Sequence, residues 1–276
     1  MPPLLPVPLR PMTLSDLLDG AFAVIKVQPR TVFSISAVIL IPTHLLAAYL
    51  QRDAASQFSV TNTFTLLNAG GQTRVGSTDL LWPYFGAVLL SLSLFFMGGA
   101  LGRLVTAWYA GGRLTAGEAL GAAFRRTPAI LVAFVVLLVA KMVGTCGFYV
   151  GMPVLVALFS LTAPVLVVEN LGPFAAARRS WQLIGRRFWP CLGIVVLAAM
   201  GSSLLTAVIG GVPSVLAGLL PAPFNWLANA ALAAGVSMIV TTALVSVSVL
   251  MYIDLRIRTE GLDIELGATE AFARGR

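Results

Sequence analysis

"ARRSWQLIGRRFWP" (177–190) places four arginines, two tryptophans, a phenylalanine and a proline in fourteen positions. Beyond Arg187 no Asp, Glu, Lys or Arg occurs until Asp254, so 66 residues (188–253) carry no formal charge. A basic, aromatic stretch that opens such a run marks a nucleic-acid patch, an enzyme site or the edge of a membrane. The other charge-free runs decide for the membrane. Residues 31–51 and 80–102 are also uncharged, and Lys141 alone interrupts 127–168. A helix needs about 20 apolar residues to cross the hydrocarbon of a bilayer, so 31–51 and 80–102 suit one crossing each. The run 127–168 suits two crossings joined at "GTCG" (144–147).

The last run has room for two or three crossings. Its segment "GGVPSVLAGLLPAPFNW" (210–226) contains Pro213, Pro221 and Pro223 with three glycines. That composition predicts a broken helix, an apolar loop or a re-entrant piece. Six crossings result, over roughly 31–50, 82–103, 128–144, 148–168, 189–209 and 228–253. Composition agrees: 58% of residues are hydrophobic and 11% charged, against about 25% charged in a soluble domain. Mean hydropathy is +0.92. A β-barrel would show short alternating segments instead of continuous apolar runs.

Cation placement gives the orientation. With the N-terminus in the cytosol, the inner side holds Arg10, Lys26 and Arg30; Arg103, Arg113, Arg125 and Arg126; Arg178, Arg179, Arg186 and Arg187; and Arg256, Arg258, Arg274 and Arg276. Only Arg52, Arg74 and Lys141 lie outside. The positive-inside rule favours this arrangement strongly, and a seventh crossing would strand the C-terminal arginines. The expected organisation is a disordered lead (1–12), one polytopic membrane domain (13–256) and a cytosolic tail (257–276). Both termini are cytosolic.

The segments before crossings 1, 3 and 5 share a plan: a short amphipathic stretch, a proline, then a crossing. In 13–25, Leu14, Leu17, Leu18, Ala21, Phe22 and Ile25 fall on one helical face. Thr13 with Asp16 has capping-box spacing, and Thr115 with Glu118 repeats it. In 115–126 the apolar side is Ala119, Leu120, Ala123 and Phe124. In the third segment Phe174, Ala177, Trp181, Ile184 and Phe188 share a face, and Leu183 breaks the pattern. Pro29, Pro128 and Pro190 lead into the crossings. The expected fold is therefore all-α and integral to the membrane: six transmembrane helices as three hairpins, each preceded by a cytosolic interfacial helix.

Arginine stems lie along an apolar face while their heads reach phosphates, and tryptophan favours the headgroup level. These residues predict a rim that meets anionic lipid headgroups or a protein partner: Arg125, Arg126, Arg178, Arg179, Trp181, Arg186, Arg187, Trp189, Arg256 and Arg258. Asp254, Arg256, Arg258 and Glu260 are also expected to form ion pairs with the other inner arginines. A nucleic-acid patch would leave its aromatics beside the cations for stacking; here they belong to the apolar face, so no nucleic acid is expected.

Chemistry is sparse. Lys141 lies 13 residues past Pro128, so about 20 Å along a helix. It reads either as a functional intramembrane group or as a lysine reaching the outer face. His44, the single histidine, has a similar depth and reads either as a partner of Lys141 in a polar cavity or as a histidine satisfied between helices. Gly98, Gly99 and Gly102 allow close helix approach. No nucleotide loop is present, and no nucleophile–base pair or metal-ligand cluster appears. No cofactor, no metal and no catalysis are expected. Cys146 and Cys191 belong on opposite faces, too far apart to bond.

"RPMTLSDLLDGAF" (10–22), "RRSWQLIGRRFW" (178–189) and "LMYIDLRIRTEGLDIEL" (250–266) together resemble a family of actinobacterial multi-pass membrane proteins labelled after the membrane domain of glycerophosphoryl diester phosphodiesterase. The resemblance spans nearly the whole chain and implies a bacterial plasma membrane. The phosphodiesterase activity belongs to a catalytic barrel with paired histidines, for which this chain has neither the residues nor the length. The expected function is a non-catalytic scaffold or accessory subunit that binds anionic lipid or protein partners through its basic rim. The alternative is a permease or lipid transporter with a path between hairpins.

Overall fold

The computed structural model describes residues 11–57, 77–146, 151–218, 220 and 222–262. Their regular structure is helical throughout: α1 (Leu14–Val27), α2 (Pro29–Gln57), α3 (Ser77–Tyr109), α4 (Ala116–Arg125), α5 (Thr127–Cys146), α6 (Gly151–Phe159), α7 (Thr162–Val168), α8 (Pro173–Gly185), α9 (Phe188–Gly218) and α10 (Ala222–Glu260).

Both predicted capping boxes form. The Thr13 hydroxyl accepts the Asp16 N–H at 3.3 Å, and the Asp16 carboxylate accepts the Thr13 N–H at 2.9 Å. Thr115 and Glu118 do the same at 3.3 and 2.7 Å. Each box satisfies two helix-end donors that would otherwise lack partners. The Glu118 backbone and hydroxyl partners on Thr115 hold its carboxyl below the usual glutamate range.

Among the described residues, five stretches are long and apolar enough to cross a membrane: Pro29–Leu50, Tyr84–Tyr109, Gly151–Val168, Phe188–Ala217 and Phe224–Glu260. A sixth is reached if α4 and α5, bent by 65°, count as one span. The apolar runs read from the sequence thus become long helices, with three differences.

First, of the segment 210–226 expected to break the helix, α9 takes the start, continuing through Pro213 to Gly218, and α10 begins at Ala222, so the two helices part within the expected segment but after Pro213. One proline removes a single intrahelical hydrogen bond. Leaving the helix inside an apolar run would unpair several backbone groups where nothing replaces them. Second, α10 continues past residue 253, and past the expected start of the tail, to Glu260. Leu255 and Ile257 prolong its buried stripe, and the pairs Asp254–Arg258 and Arg256–Glu260 support its last turns. Third, the stretch Gly151–Val168 is two helices with a break at Ser160–Leu161. The Leu158 carbonyl, beside the break, accepts the Ser180 hydroxyl of α8 at 2.7 Å, and Ser180 is fully buried.

Helix packing follows one rule three times. Taking α1–α3, α4–α7 and α8–α10 as units, the long helices of each unit pack together: α2 on α3, α5 on α6, α9 on α10. The first long helix also packs on the outgoing helix of the unit before it: α2 on α10, α5 on α3, α9 on α6. The short helix takes a seat on that same outgoing helix: α1 on α10, α4 on α3, α8 on α6 and α7. Because α1 docks on the last helix, the three units close on themselves. Ala21 of α1 clusters there with Ala198 of α9 and Val247 of α10.

The outgoing helices meet at the centre, where α3 packs against both α7 and α10. The contact of α3 with α7 is a seam of small residues. A Cβ added at Gly98, Gly99 or Gly102 would lie 3.0 Å from Ala163 Cβ, 2.6 Å from Val167 Cγ2 and 2.9 Å from Pro164 Cβ. The glycines expected to permit close approach do so here. Burial is most complete toward the end where the short helices pack, called the basic end below. There Val249, Leu250, Met251, Tyr252, Ile253 and Leu255 are each no more than 1% exposed, so α10 is enclosed on every side. The distal half of α9 is the opposite, with Met200, Leu204, Val208 and Val212 all more than 60% exposed.

Candidate functional site

The basic end contains two groups of charged side chains with different fates. One group is used inside the fold. Arg179 of α8 pairs with Glu169 (3.2 Å) and with Glu260 of α10. The Tyr252 hydroxyl donates to the other Glu169 oxygen at 2.9 Å. Arg256 donates to Glu260 at 3.0 Å and to the Tyr252 oxygen at 3.3 Å. Burial opposes the Arg179 charge, but the Glu260 hydrogen bond and the Glu169 and Glu260 carboxylates outweigh it and raise the guanidinium pKa.

A second closed set involves the chain's beginning. Arg258 grips Asp254 through both carboxylate oxygens, at 2.9 and 2.8 Å. Asp254 accepts the Met12 N–H at 2.7 Å, and Arg258 donates to the Met12 carbonyl at 2.7 Å. Met12, expected in a disordered lead, is 4% exposed. Further round, Arg126 donates to the carbonyl and side-chain oxygens of Asn170 at 3.1 and 2.9 Å. Asn170 has the left-handed φ of 54° that turns α7 toward α8.

Four residues of the predicted rim, Arg126, Arg179, Arg256 and Arg258, are therefore occupied inside the fold, and of these Arg179 joins α8 to α10. Of the ion pairs expected between Asp254, Arg256, Arg258 and Glu260 and the other inner arginines, Glu260 with Arg179 is present, while Asp254 pairs with Arg258 and Arg256 with Glu260 along α10. What the sequence hid was Glu169: it precedes Arg179 by ten residues, and only the α7–α8 turn brings the two together.

The other group is free. Arg125, Arg178, Arg186 and Arg187 are exposed, with no hydrogen bond or ion pair among the described residues. Lys26, Arg30, Arg103 and Arg113 are in the same state; they were in the inner cation count but not in the predicted rim. Exposed aromatics accompany them: Phe22, Phe124, Phe174, Trp181 and, at 77%, Trp189.

The face of α8 differs from the one read from its periodicity. Ala176, Ala177, Ser180, Leu183 and Ile184 are buried, whereas Phe174 and Trp181 are exposed. Leu183, which broke the predicted stripe, belongs to the docked face. Two alanines, the Ser180 hydroxyl and the aliphatic Leu183 and Ile184 make the docked face; the large rings stand outside, Trp181 tilted against Phe159 at 6.0 Å. α1 divides its apolar residues similarly, with Leu17, Ala21 and Val24 buried and Leu14, Leu18 and Phe22 exposed.

The two polar residues expected at similar depth are not brought into one site. His44 Nδ1 donates to the Leu40 carbonyl at 2.9 Å, which leaves Nε2 to accept the Ser237 hydroxyl of α10, also at 2.9 Å. Both ring nitrogens of a neutral imidazole are satisfied this way. Lys141 is half-buried on α5, which has no extended contact with α2. Cys191 is buried, and the Cys146 side chain lies outside the described residues. A cleft of about 400 Å³ lies between α9 and α10, lined by Ser202, Ser203, Thr206, Ala207, Val240, Thr241 and Leu244. No three His, Cys, Asp or Glu side chains gather among the described residues.

An all-helical chain with five or six stretches long and apolar enough to cross a membrane is compatible with a multi-pass membrane protein. No family model, curated protein or solved structure matches it.

Proposed function

We propose that the chain is a non-catalytic multi-pass protein of a bacterial plasma membrane, a scaffold or accessory subunit that engages anionic lipid through a basic cytosolic rim. Its six crossings form three hairpins, each entered from an interfacial amphipathic helix (α1, α4, α8), with both termini cytosolic. The resemblance of its three motifs to the actinobacterial membrane family supports this setting and brings no phosphodiesterase activity with it.

One observation carries the reading. The eight exposed cations at the basic end have no hydrogen-bond or ion-pair partner among the described residues, while the cations beside them are used inside the fold. Next to them stand Trp181, Trp189 and Phe124, apolar rings left outside a well-packed core. Anionic headgroups attract each juxtamembrane cation by about 1 kcal/mol, and tryptophan rings suit the same layer.

The test is lipid selectivity. Purified protein should retain phosphatidylglycerol over phosphatidylcholine, less so at high salt, and Arg125, Arg178, Arg186 and Arg187 changed together to Gln should weaken that preference. Equal retention of the two lipids by the native protein would refute the reading. The permease alternative has one observation in its favour, the hydroxyl-lined cleft between α9 and α10. The glycine seam and filled centre weigh against a path between the outgoing helices. Ser203→Leu and Thr241→Leu would block transport through the cleft and leave lipid selectivity unchanged.

A further inference from the structure

We infer that the rim is not a diffuse basic belt but three separate headgroup seats, so that the chain holds three anionic phospholipids of its own leaflet. This rests on the lipid-binding reading above and goes further, to number and position. The seats are the corners where a short helix turns into a long one. At the α1–α2 corner stand Lys26 and Arg30 with Phe22 one turn before Lys26; at α4–α5, Arg125 with Phe124; at α8–α9, Arg186 and Arg187 with Trp189.

Each corner has at least one exposed cation with no hydrogen-bond or ion-pair partner among the described residues, and an exposed aromatic within four residues of it. The corners are equivalent in the packing rule. Each joins a helix docked on the preceding unit's outgoing helix to a long helix packed on that same outgoing helix. Equivalent seats in a closed three-unit arrangement are set apart around it, so one phosphate cannot serve two corners. Other arginines of this end are occupied inside the fold, Arg126 by the neutral oxygens of Asn170, Arg179 by Glu169 and Glu260, and Arg258 by Asp254, while the free Arg103, Arg113 and Arg178 lie off the three corners. The occupant follows from charge. These are cations without carboxylates, beside apolar rings, which fits a phosphate with an acyl chain beneath it better than an acidic protein surface.

The experiment is native mass spectrometry of the full-length, delipidated protein titrated with phosphatidylglycerol, with phosphatidylcholine in parallel. Each cation at a membrane surface is worth roughly 5-fold in affinity. Native protein should fill to three phosphatidylglycerols. Lys26→Gln with Arg30→Gln, Arg125→Gln alone, and Arg186→Gln with Arg187→Gln should each weaken one of the three binding steps, by about 5-fold per cation removed, and leave two unchanged, and the combined variant should weaken all three. Arg113→Gln with Arg178→Gln, free cations outside the corners, should leave all three steps unchanged. Arg186→Lys with Arg187→Lys should restore the weakened step, which separates lost charge from lost folding. A smooth distribution without a step at three, or equal loss from the Arg113 and Arg178 changes, would overturn the three seats while leaving a lipid-binding rim. Indifference between the two lipids would remove the rim as well.

Discussion

Gly102→Ala tests the centre of the fold, because two physical effects of known size oppose each other there. In a helix interior alanine is better than glycine by up to about 1 kcal/mol. A Cβ on Gly102 would sit 2.9 Å from Pro164 Cβ and 3.2 Å from Pro164 Cα, inside the ~3.5–4.0 Å optimum for carbon pairs. The neighbour is a rigid ring and a backbone atom, so no side chain can swing aside. Relief requires α3 and α7 to separate along the whole seam, and overpacking of this kind costs about 1–3 kcal/mol. The expected net change is a loss of up to about 2 kcal/mol once the propensity gain is subtracted. Gly121→Ala is the matched control: it lies inside α4 with nothing within 4 Å of the added Cβ, so stability should rise by up to ~1 kcal/mol. Reversible unfolding in mixed micelles with increasing SDS would measure both. If the two variants gain stability alike, the seam is not close-packed and the case for a sealed centre fails.

Other consequences are testable in the same assay. Ser180→Ala leaves the Leu158 carbonyl without its donor and should cost about 1–3 kcal/mol, whereas Ser203→Ala on exposed α9 should change stability by less than ~0.5 kcal/mol. Arg179→Gln should destabilise and spare lipid selectivity; Arg178→Gln, one residue away, should leave stability unchanged. The Glu118 carboxyl has a depressed pKa in the folded chain, so its stabilising contribution is present above the ordinary glutamate value and is lost as pH falls through the folded one. Glu118→Gln should flatten that part of an acid titration of stability; an unchanged acid slope would remove the charge-dependent part of the capping box. Hydrogen exchange should be slowest at 249–255, which neighbours enclose on all sides, and comparable protection in the distal half of α9 would contradict the burial pattern.

The long helices were legible because a bilayer-length apolar run has few other solutions. The two capping boxes were legible because their chemistry lies within four residues. The face of α8 was not, because periodicity groups apolar residues without ranking size. Trp181 and Ala177 count alike in a stripe, yet the face of α8 that docks takes alanines, a serine and two aliphatic side chains and leaves the large rings outside. The fate of the arginines was hidden for a different reason. Arg178 and Arg179 are adjacent and chemically identical, and the orientation of α8 relative to Glu169 and Glu260 alone sends one inward. Pro213 misled because the rule for proline in a helix weighs one lost hydrogen bond and ignores how many more a break would unpair.

Where a multi-helix protein is rigid bears on what it can do. Here near-complete burial lies toward the basic end, with α10 encircled over 249–255 and Met12, just before α1, clamped by Asp254 and Arg258. The distal half of α9 leans on little but α10. A transporter that alternates between faces must break contacts at each end in turn, and the three outgoing helices would have to part where their side chains interlock most closely. A scaffold has the opposite requirement: the surface that meets its partner must keep its shape while the rest tolerates movement. Free cations on a clamped end, and hydroxyls rather than ionisable groups in the one cleft described, match that second requirement.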